Sequence, residues 1–328
     1  FDGLAAWLDR LATTIDEIAE GTRDEPVGTL DACRPVRRTL GWNDAAEDAA
    51  TWMIRYAHYQ HVHALVRRDD PLIAVLERVL VTRRLLLLEE PELVPYVGLG
   101  EDAPRGAGFG VLCVDPARRL EARHRALHGT IAMSATLEPL SYYADVLGLA
   151  PLDAVEIAVP SPFPEEHCAV AVVPTVSTTW RERRRHLDGI ARAIEATIAA
   201  RPGHYVAYFP SFRFLEDVRA RLAVDEASLL VQTPRMPPAA RAAVLARLRT
   251  DDAPCLLLAV MGGVFSEGID LPGEALVGAI VVGPALPQVG FERALMQHHF
   301  DERTGGGFAY AMLFPGMQRV IQAAGRVH

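Results

Sequence analysis

Short apolar runs alternate with amphipathic stretches from residue 109 onward, and this alternation limits the fold more than any other feature of the sequence. The amphipathic stretches lie at residues 142–147, 181–200, 212–222 and 238–249. Strand–helix alternation of this kind predicts an α/β fold, in which a parallel sheet is covered by helices on both faces. Ligands of such sheets bind outside the carboxyl ends of the strands, so the loops after the runs are the candidate sites. The runs themselves are residues 109–114, 130–134, 169–173, 205–209, 229–232, 255–260 and 279–282.

Residues 1–90 have a different, helical pattern. Apolar side chains recur at spacings of three and four between Leu4 and Ile18, with charged residues on the opposite face. Residues 45–66 and 70–88 repeat this pattern. A segment rich in glycine and proline at residues 98–110 then interrupts it, and we expect a domain boundary there.

The basic residues are unusual, because all 33 are arginine and the 328-residue chain contains no lysine. A phosphate-binding loop of the GxxxxGKS/T type is therefore excluded within this sequence. The formal net charge of −9 counts only weakly against nucleic-acid binding, since backbone contacts need no more than a local groove of arginines. The chain begins at Phe1 and its last residues, up to His328, break off a helical pattern, so we expect a part of a longer protein.

Cysteine and histidine spacing predicts no metal site. The cysteines lie far apart and form no CxxC pair, which favours a reducing, cytoplasmic compartment over a disulfide framework. His58 and His61 share a helix face, but His63 does not. The four cysteines are Cys33, Cys113, Cys168 and Cys255.

The apolar runs are shorter than the roughly 20 residues of a membrane-spanning helix, so no membrane association is expected.

Hydroxyl side chains follow two of the apolar runs. Ser134 and Thr136 come after the run at 130–134, and Ser211 comes after the run at 205–209. Each of them can cap the following helix. Ser211 also begins a helix whose first N–H groups form a small anion site.

The loop after the run at 255–260 combines glycines with acidic residues. Glycine lets the backbone approach a phosphate or ribose closely, and Ser266, Glu267 and Asp270 place polar groups beside it. An ordinary glycine-rich loop between strand and helix is the alternative. The acidic pair within an apolar segment favours the ligand site.

The last segment predicts a helix over residues 318–328. Gln322, Gly325 and Arg326 would then share one helix face. Glycine within a helix costs about 1 kcal/mol relative to alanine, so we expect a ligand or a neighbouring segment to approach closely there.

Taken together and in order, these segments resemble the motifs of superfamily 2 DNA helicases of the XPD and DinG type. Residues 130–137 (TIAMSATL) resemble motif III, and residues 205–212 resemble motif IV. Residues 264–270 resemble motif V and contain its SEGID core. Residues 322–326 resemble the start of motif VI, QxxGRxxR, whose second arginine is expected directly after His328.

The resemblance implies a domain organisation. Residues 1–107 would be a helical segment of the Arch domain, residues 108–138 the end of the first motor domain, and residues 139–328 a second RecA-like motor domain, truncated within motif VI. The Walker A and Walker B motifs, the ligands of Mg²⁺ and any iron–sulfur cluster would precede Phe1, so no metal ligand is expected within this chain.

The resemblance also implies site residues. ATP would bind between two motor domains, with Arg326 and Gln322 as catalytic residues that stabilise charge on the γ-phosphate. ATP hydrolysis would drive 5′ to 3′ movement along single-stranded or forked DNA, in repair or replication. Further ATP contacts would come from Glu267, Gly268, Asp270 and Gly325, and contacts that bind DNA or couple it to ATP from Ser134, Thr136, Ser211 and Ser266.

Two alternatives remain. An RNA helicase of the same superfamily would share this chemistry, although an Arch-like insertion argues against it. The second alternative is a degenerate, non-catalytic motor domain that is retained for nucleic-acid or protein contacts. The presence of the motif residues argues against such a loss of activity; these are Glu267, Asp270, Gln322 and Arg326. In either case we expect the chain on its own to be inactive as an ATPase.

Overall fold

The computed structural model describes residues 2–20, 44–65, 70–88, 90–99, 107–160, 164, 167–250, 253–266 and 276–325. The chain divides into two compact units. The first consists of residues 1–128, 145–152 and 289–307, and the second of residues 129–144, 153–288 and 308–328. No helix among the described residues is both long enough and apolar enough to cross a membrane.

The helices and strands of the described residues are, in chain order, α1 (Asp2–Glu20), α2 (Asp44–Val62), α3 (Pro71–Leu86), β1 (Leu93–Leu99), β2 (Ala107–Cys113), α4 (Ala117–Arg125), α5 (Leu140–Val146), α6 (Leu187–Ala200), β3 (Tyr205–Phe209), α7 (Phe212–Arg219), β4 (Leu229–Val231), α8 (Pro238–Thr250), β5 (Leu256–Val260), β6 (Gly278–Val281), α9 (Phe291–Thr304) and α10 (Phe314–Ala324). Short 3₁₀ turns lie at Ala150–Leu152, Arg183–Arg185 and Glu226–Ser228, and a π-helical turn at Ala309–Leu313 precedes α10.

Helices dominate the first unit, as the spacing of apolar residues predicts. Leu4 of α1 is buried together with Ala49 of α2 and Leu76 of α3. Farther along α1, Ile15 packs against Val97 of β1. The apolar stripe of α1 therefore contacts two other helices at one end and a strand at the other.

The run at 109–114 is a strand, but it does not join a parallel sheet as expected. It lies in β2, which pairs antiparallel with β1, so that Leu93 lies opposite Cys113 and Leu99 opposite Ala107. The partner strand precedes it closely in the chain, which favours an antiparallel pair because a parallel one needs a long crossover. The two strands flank the expected domain boundary, and the boundary itself stays a prediction.

A parallel sheet forms the centre of the second unit, in the order β4-β5-β3-β6. Side chains of β3 alternate between two cores. Tyr205, Ala207 and Phe209 pack against α6 and α7, whereas Val206 and Tyr208 pack with residues of α8 and α10 on the other face. The predicted α/β class, a parallel sheet with helices on both faces, is thereby confirmed.

Two apolar runs, 130–134 and 169–173, are not strands, so this part of the prediction is wrong. Ile131 is 84% exposed, and Val170 is 87% exposed. A strand requires a neighbour for its N–H and C=O groups, and none of the described strands pairs with either run. Apolar, β-branched composition alone does not supply that neighbour.

Candidate functional site

Ser211 lies at the carboxyl end of β3, where the chain turns into α7. Its extended backbone (φ −160°, ψ 154°) lets the side-chain oxygen accept a hydrogen bond from the N–H of Phe214, 3.3 Å away. This is an N-cap. A hydroxyl that accepts a hydrogen bond still has its own proton to donate, so capping leaves Ser211 able to bind an anion.

The loop after β5 is folded against β3. The N–H of Met261 donates to the carbonyl oxygen of Phe209, with 2.9 Å between nitrogen and oxygen. Gly262 has φ +71°, a left-handed conformation that favours glycine. Ser266 is only 1% exposed, and its hydroxyl donates to the carbonyl oxygen of Gly263 at 2.9 Å. The hydroxyl of Ser266 therefore stabilises the loop, while its expected contact with DNA stays a prediction.

A buried tyrosine is hydrogen-bonded to the same loop. The Tyr208 hydroxyl donates to the carbonyl oxygen of Phe265 at 2.8 Å, and both side chains are buried. Buried hydrogen bonds of this kind are costly to leave unmade. They fix the end of the loop directly before the SEGID segment.

Gln232 is a site residue that the sequence analysis missed. It follows β4 and is 5% exposed. Its side-chain oxygen accepts from the N–H of Val260, 3.0 Å away, and its backbone N–H donates to the carbonyl oxygen of Leu258 at 2.9 Å. A Cβ on Gly263 would lie 2.6 Å from Gln232 Nε2 and 2.7 Å from the carbonyl oxygen of Val260, and this backbone contact favours glycine there. The signal in the sequence was a polar residue at the end of the apolar run at 229–232.

Helix α10 lies beside the β5 loop at this edge of the sheet. A Cβ on Gly262 would lie 3.8 Å from Arg319 Nε of α10, and Arg319 Nη1 donates to the carbonyl oxygen of Ala285 at 3.4 Å. Ala323 is buried in the sheet core, and Gln322, next to it, is half-buried. The helix that carries Gln322 and the loop that carries Ser266 are therefore neighbours.

The expected position of Gly325 within a helix is wrong. Helix α10 ends at Ala324, and Gly325 is its C-cap, with its N–H bonded to the carbonyl oxygen of Ile321 at 2.8 Å. Glycine is ordinary just past a helix end. The cost assigned to glycine within a helix therefore does not apply, and it is no evidence for a ligand close to Gly325.

Solved structures of XPD helicases share this fold. One XPD helicase structure matches 97% of this chain and 55% of its own, with a TM-score of 0.53 and 14% sequence identity. An apo XPD structure matches 98% of this chain and 61% of its own, with a TM-score of 0.50 and 13% identity. At such low identity the likeness concerns the fold alone.

Sequence comparison gives a family match for the C-terminal part of the chain. The family model of the helicase C-terminal domain matches residues 194–328, which include β3 to β6 and α10. Residues 194–328 are therefore similar to helicase C-terminal domains. The protein "ATP-dependent DNA helicase chl-1" of Caenorhabditis elegans is 26% identical over 247 residues, which are 69% of this chain and 30% of that relative. The chain thus matches less than a third of that relative's length.

Four of the expected site residues of the helicase C-terminal domain lie outside the described part of the chain. They are Glu267, Gly268, Asp270 and Arg326. The described residues on either side, Ser266 and Gly325, belong to the β5 loop and to the end of α10. These two segments lie close together, but the positions of the four side chains stay predictions.

Ser134 and Thr136 precede the residues that match the helicase C-terminal domain, and they form a local turn. The two hydroxyl oxygens are 3.1 Å apart, and the N–H of Thr136 donates to Ser134 Oγ at 3.2 Å. Ser134 is exposed, and Thr136 is half-buried. Within the described residues, no group of three His, Cys, Asp or Glu side chains is arranged to hold a metal ion.

Proposed function

We propose that this chain supplies the second motor domain of an ATP-dependent DNA helicase. The family match over residues 194–328 and the DNA helicase activity in the name of the chl-1 relative support it. The observation that carries the proposal is the contact of α10 with the β5 loop. It brings the helix that carries Gln322 beside the loop that precedes the SEGID segment, at the edge of the sheet where such folds bind ligands.

In this proposal, ATP binds between this edge and a first motor domain that carries the Walker motifs and the Mg²⁺ ligands. Gln322 and Arg326 orient and stabilise the γ-phosphate as charge develops in the transition state. Glu267, Gly268, Asp270 and Gly325 contact the nucleotide. The rigid anchoring of the β5 loop by Tyr208 and Gln232 holds these groups in position without rearrangement during the reaction.

The same edge binds single-stranded DNA. Ser211 donates a hydrogen bond to a backbone phosphate, and Ser134, Thr136 and Ser266 link closure of the ATP site to movement of the strand. Hydrolysis then drives unwinding in the 5′ to 3′ direction on single-stranded or forked DNA. We further propose a role in DNA repair or replication and a cytoplasmic location.

ATP hydrolysis and duplex unwinding test the proposal. The 328-residue chain alone should show no DNA-stimulated ATP hydrolysis, since it contains no lysine for a Walker A motif. The protein that joins it to a first motor domain should hydrolyse ATP in response to single-stranded DNA and unwind a DNA duplex. Turnover by the chain alone would contradict the division of the site between two domains. Unwinding of RNA but not of DNA duplexes would contradict the DNA assignment.

A further inference from the structure

The guanidinium group of Arg183 lies between two aromatic rings. Its Cζ atom is 4.1 Å from the centre of the Trp180 ring and 4.6 Å from the centre of the Phe214 ring. Arg183 is only 8% exposed, and burial lowers the pKa of its guanidinium group. A planar, weakly hydrated guanidinium tolerates such stacking better than an ammonium group does. The three side chains form a stack: Phe214, Arg183 and Trp180.

The inner end of this stack is fixed by the core. Phe214 is fully buried in the first turn of α7, and its N–H is the one that Ser211 caps. Arg183 is held at the other side by the 3₁₀ turn Arg183–Arg185, which leads into α6. The stack therefore starts beside the residue that we propose to contact a DNA phosphate.

The outer end of the stack is open to solvent. Trp180 is 69% exposed although one face of its ring lies on Arg183. The opposite face of the indole is therefore accessible to a flat ligand. An aromatic ring that is held in place loses little conformational freedom when a second ring stacks on it.

Exposed arginines lie near the stack. Arg184 and Arg213 are close enough to Arg183 to lower the pKa of its guanidinium group, whereas Asp217 is close enough to raise it. Arg181 and Arg185 are also exposed, and Glu182 is an exposed acidic residue between them. The whole chain carries a formal net charge of −9, so this cluster is a local exception. A rigid aromatic platform with arginines beside it matches the way in which single-stranded nucleic acid is bound without sequence preference.

We propose that Trp180 is a stacking platform for one base of single-stranded DNA. The strand's phosphates lie along Arg181, Arg184, Arg185 and Arg213, and the next contact is Ser211. This inference rests on the proposed function, because it adds a base contact to the same DNA path. Arg183 is a positioning residue that keeps the indole in place.

Fluorine NMR tests the stacking directly. The chain has four tryptophans, so incorporation of 5-fluorotryptophan gives four resonances, and Trp180→Phe identifies the one from Trp180. Addition of an oligo-dT of about 15 nucleotides, near the upper end of known site sizes, should shift that resonance. Unchanged Trp180 chemical shift at saturating oligo-dT would overturn the inference.

The affinity of Trp180 variants for oligo-dT provides a second test. Trp180→Leu removes the ring and should weaken oligo-dT binding by about 10- to 100-fold, whereas Trp180→Phe should stay within about 3-fold. Phe308→Leu is the matched control, because the Phe308 ring belongs to the same unit, is 51% exposed and lies outside the proposed DNA path. The affinity of this variant for oligo-dT should equal that of the wild type. Melting curves exclude misfolding, which substitution of an exposed side chain seldom causes.

The outcomes separate this inference from the proposed function. If the wild-type chain binds oligo-dT and Trp180→Leu binds equally well, the stacking platform is wrong and the helicase proposal stands. If neither the chain nor the protein that joins it to a first motor domain binds single-stranded DNA, both are wrong. Tighter binding of oligo-U than of oligo-dT, with the same dependence on Trp180, would overturn the assignment to DNA.

Discussion

The side-chain oxygen of Gln232 accepts a hydrogen bond from the backbone N–H of Val260, with 3.0 Å between the two atoms. The residue thereby joins the end of β4 to the start of the loop that carries Ser266. Gln232 is 5% exposed, so water does not replace this bond. The bond connects two parallel strands at the edge of the sheet where the ATP site is proposed.

Replacement of Gln232 by leucine should lower the free energy of unfolding by about 1–3 kcal/mol, because it leaves the half-buried N–H of Val260 without its acceptor. Denaturant titration of the purified chain measures this change. Gln288→Leu is the matched control, since Gln288 is exposed and its loss should cost less than about 0.5 kcal/mol. Equal effects of the two substitutions would show that the bond to Val260 is unimportant.

Substitutions of Ser211 separate its capping role from its proposed contact with DNA. Ser211→Ala removes the cap and should cost about 1 kcal/mol of stability. Asparagine and aspartate both cap helices well, so Ser211→Asn and Ser211→Asp should retain stability. The aspartate, however, places a negative charge where a phosphate is proposed to bind. Affinity for oligo-dT should therefore fall for Ser211→Asp relative to Ser211→Asn, and equal affinities would exclude a phosphate at this position.

Substitution of the buried Asp115 should destabilise the first unit. Its carboxylate accepts from the N–H of Ala117 at 3.0 Å and from His299 Nε2 at 3.2 Å, and it lies 3.3 Å from Arg303 Nε. Its side chain is only 4% exposed. Asp115→Ala leaves these donors without their acceptor and should cost about 2–3 kcal/mol in thermal or denaturant unfolding.

The exposed ion pair of Asp188 with Arg221 provides the control for Asp115. Asp188 Oδ1 lies 2.9 Å from Arg221 Nε, but the Asp188 side chain is 73% exposed. Ion pairs of this kind contribute at most about 1 kcal/mol. A loss of stability in Asp188→Ala as large as in Asp115→Ala would mean that burial does not determine the effect.

The carboxyl group of Asp70 makes the stability of the fold depend on pH in the acid range. Burial raises the pKa of Asp70, but hydrogen bonds from Tyr56, from the N–H groups of Leu72 and Ile73, and from Gln60 outweigh burial and leave the pKa below the ordinary 3.8. A carboxylate with a lowered pKa in the folded state stabilises the fold above pH 3.8, and this contribution is lost as the pH falls through the lowered value.

Melting temperatures of the wild type and of Asp70→Asn test this dependence. The wild type should melt at the higher temperature at neutral pH, because only the carboxylate carries the charge that these donors favour. The difference between the two melting temperatures should narrow as the pH falls below 3.8. A difference that stays constant down to the lowest pH at which the protein folds would contradict the lowered pKa of Asp70.

The sequence predicted the central strands well because β3 and β5 are buried on both faces and appear as continuous apolar runs. The same reasoning failed for the runs around Ile131 and Val170, since an apolar composition does not reveal whether a neighbouring strand is present. It placed Ser211 correctly at a helix start. It overlooked Gln232 and Trp180, because their roles depend on Val260 and Arg183, contacts that residue type alone does not predict.

The most direct test of the proposed motor function is the ATPase activity of Arg326→Ala in the protein that joins this chain to a first motor domain. If Arg326 stabilises the γ-phosphate in the transition state, turnover should fall by roughly 10³-fold or more, as for arginine fingers. Affinity for single-stranded DNA without nucleotide should change by less than about tenfold. Arg192→Ala, on the exposed side of α6, should leave turnover within about twofold. Near-normal ATPase activity of Arg326→Ala would contradict the placement of the catalytic arginine in motif VI.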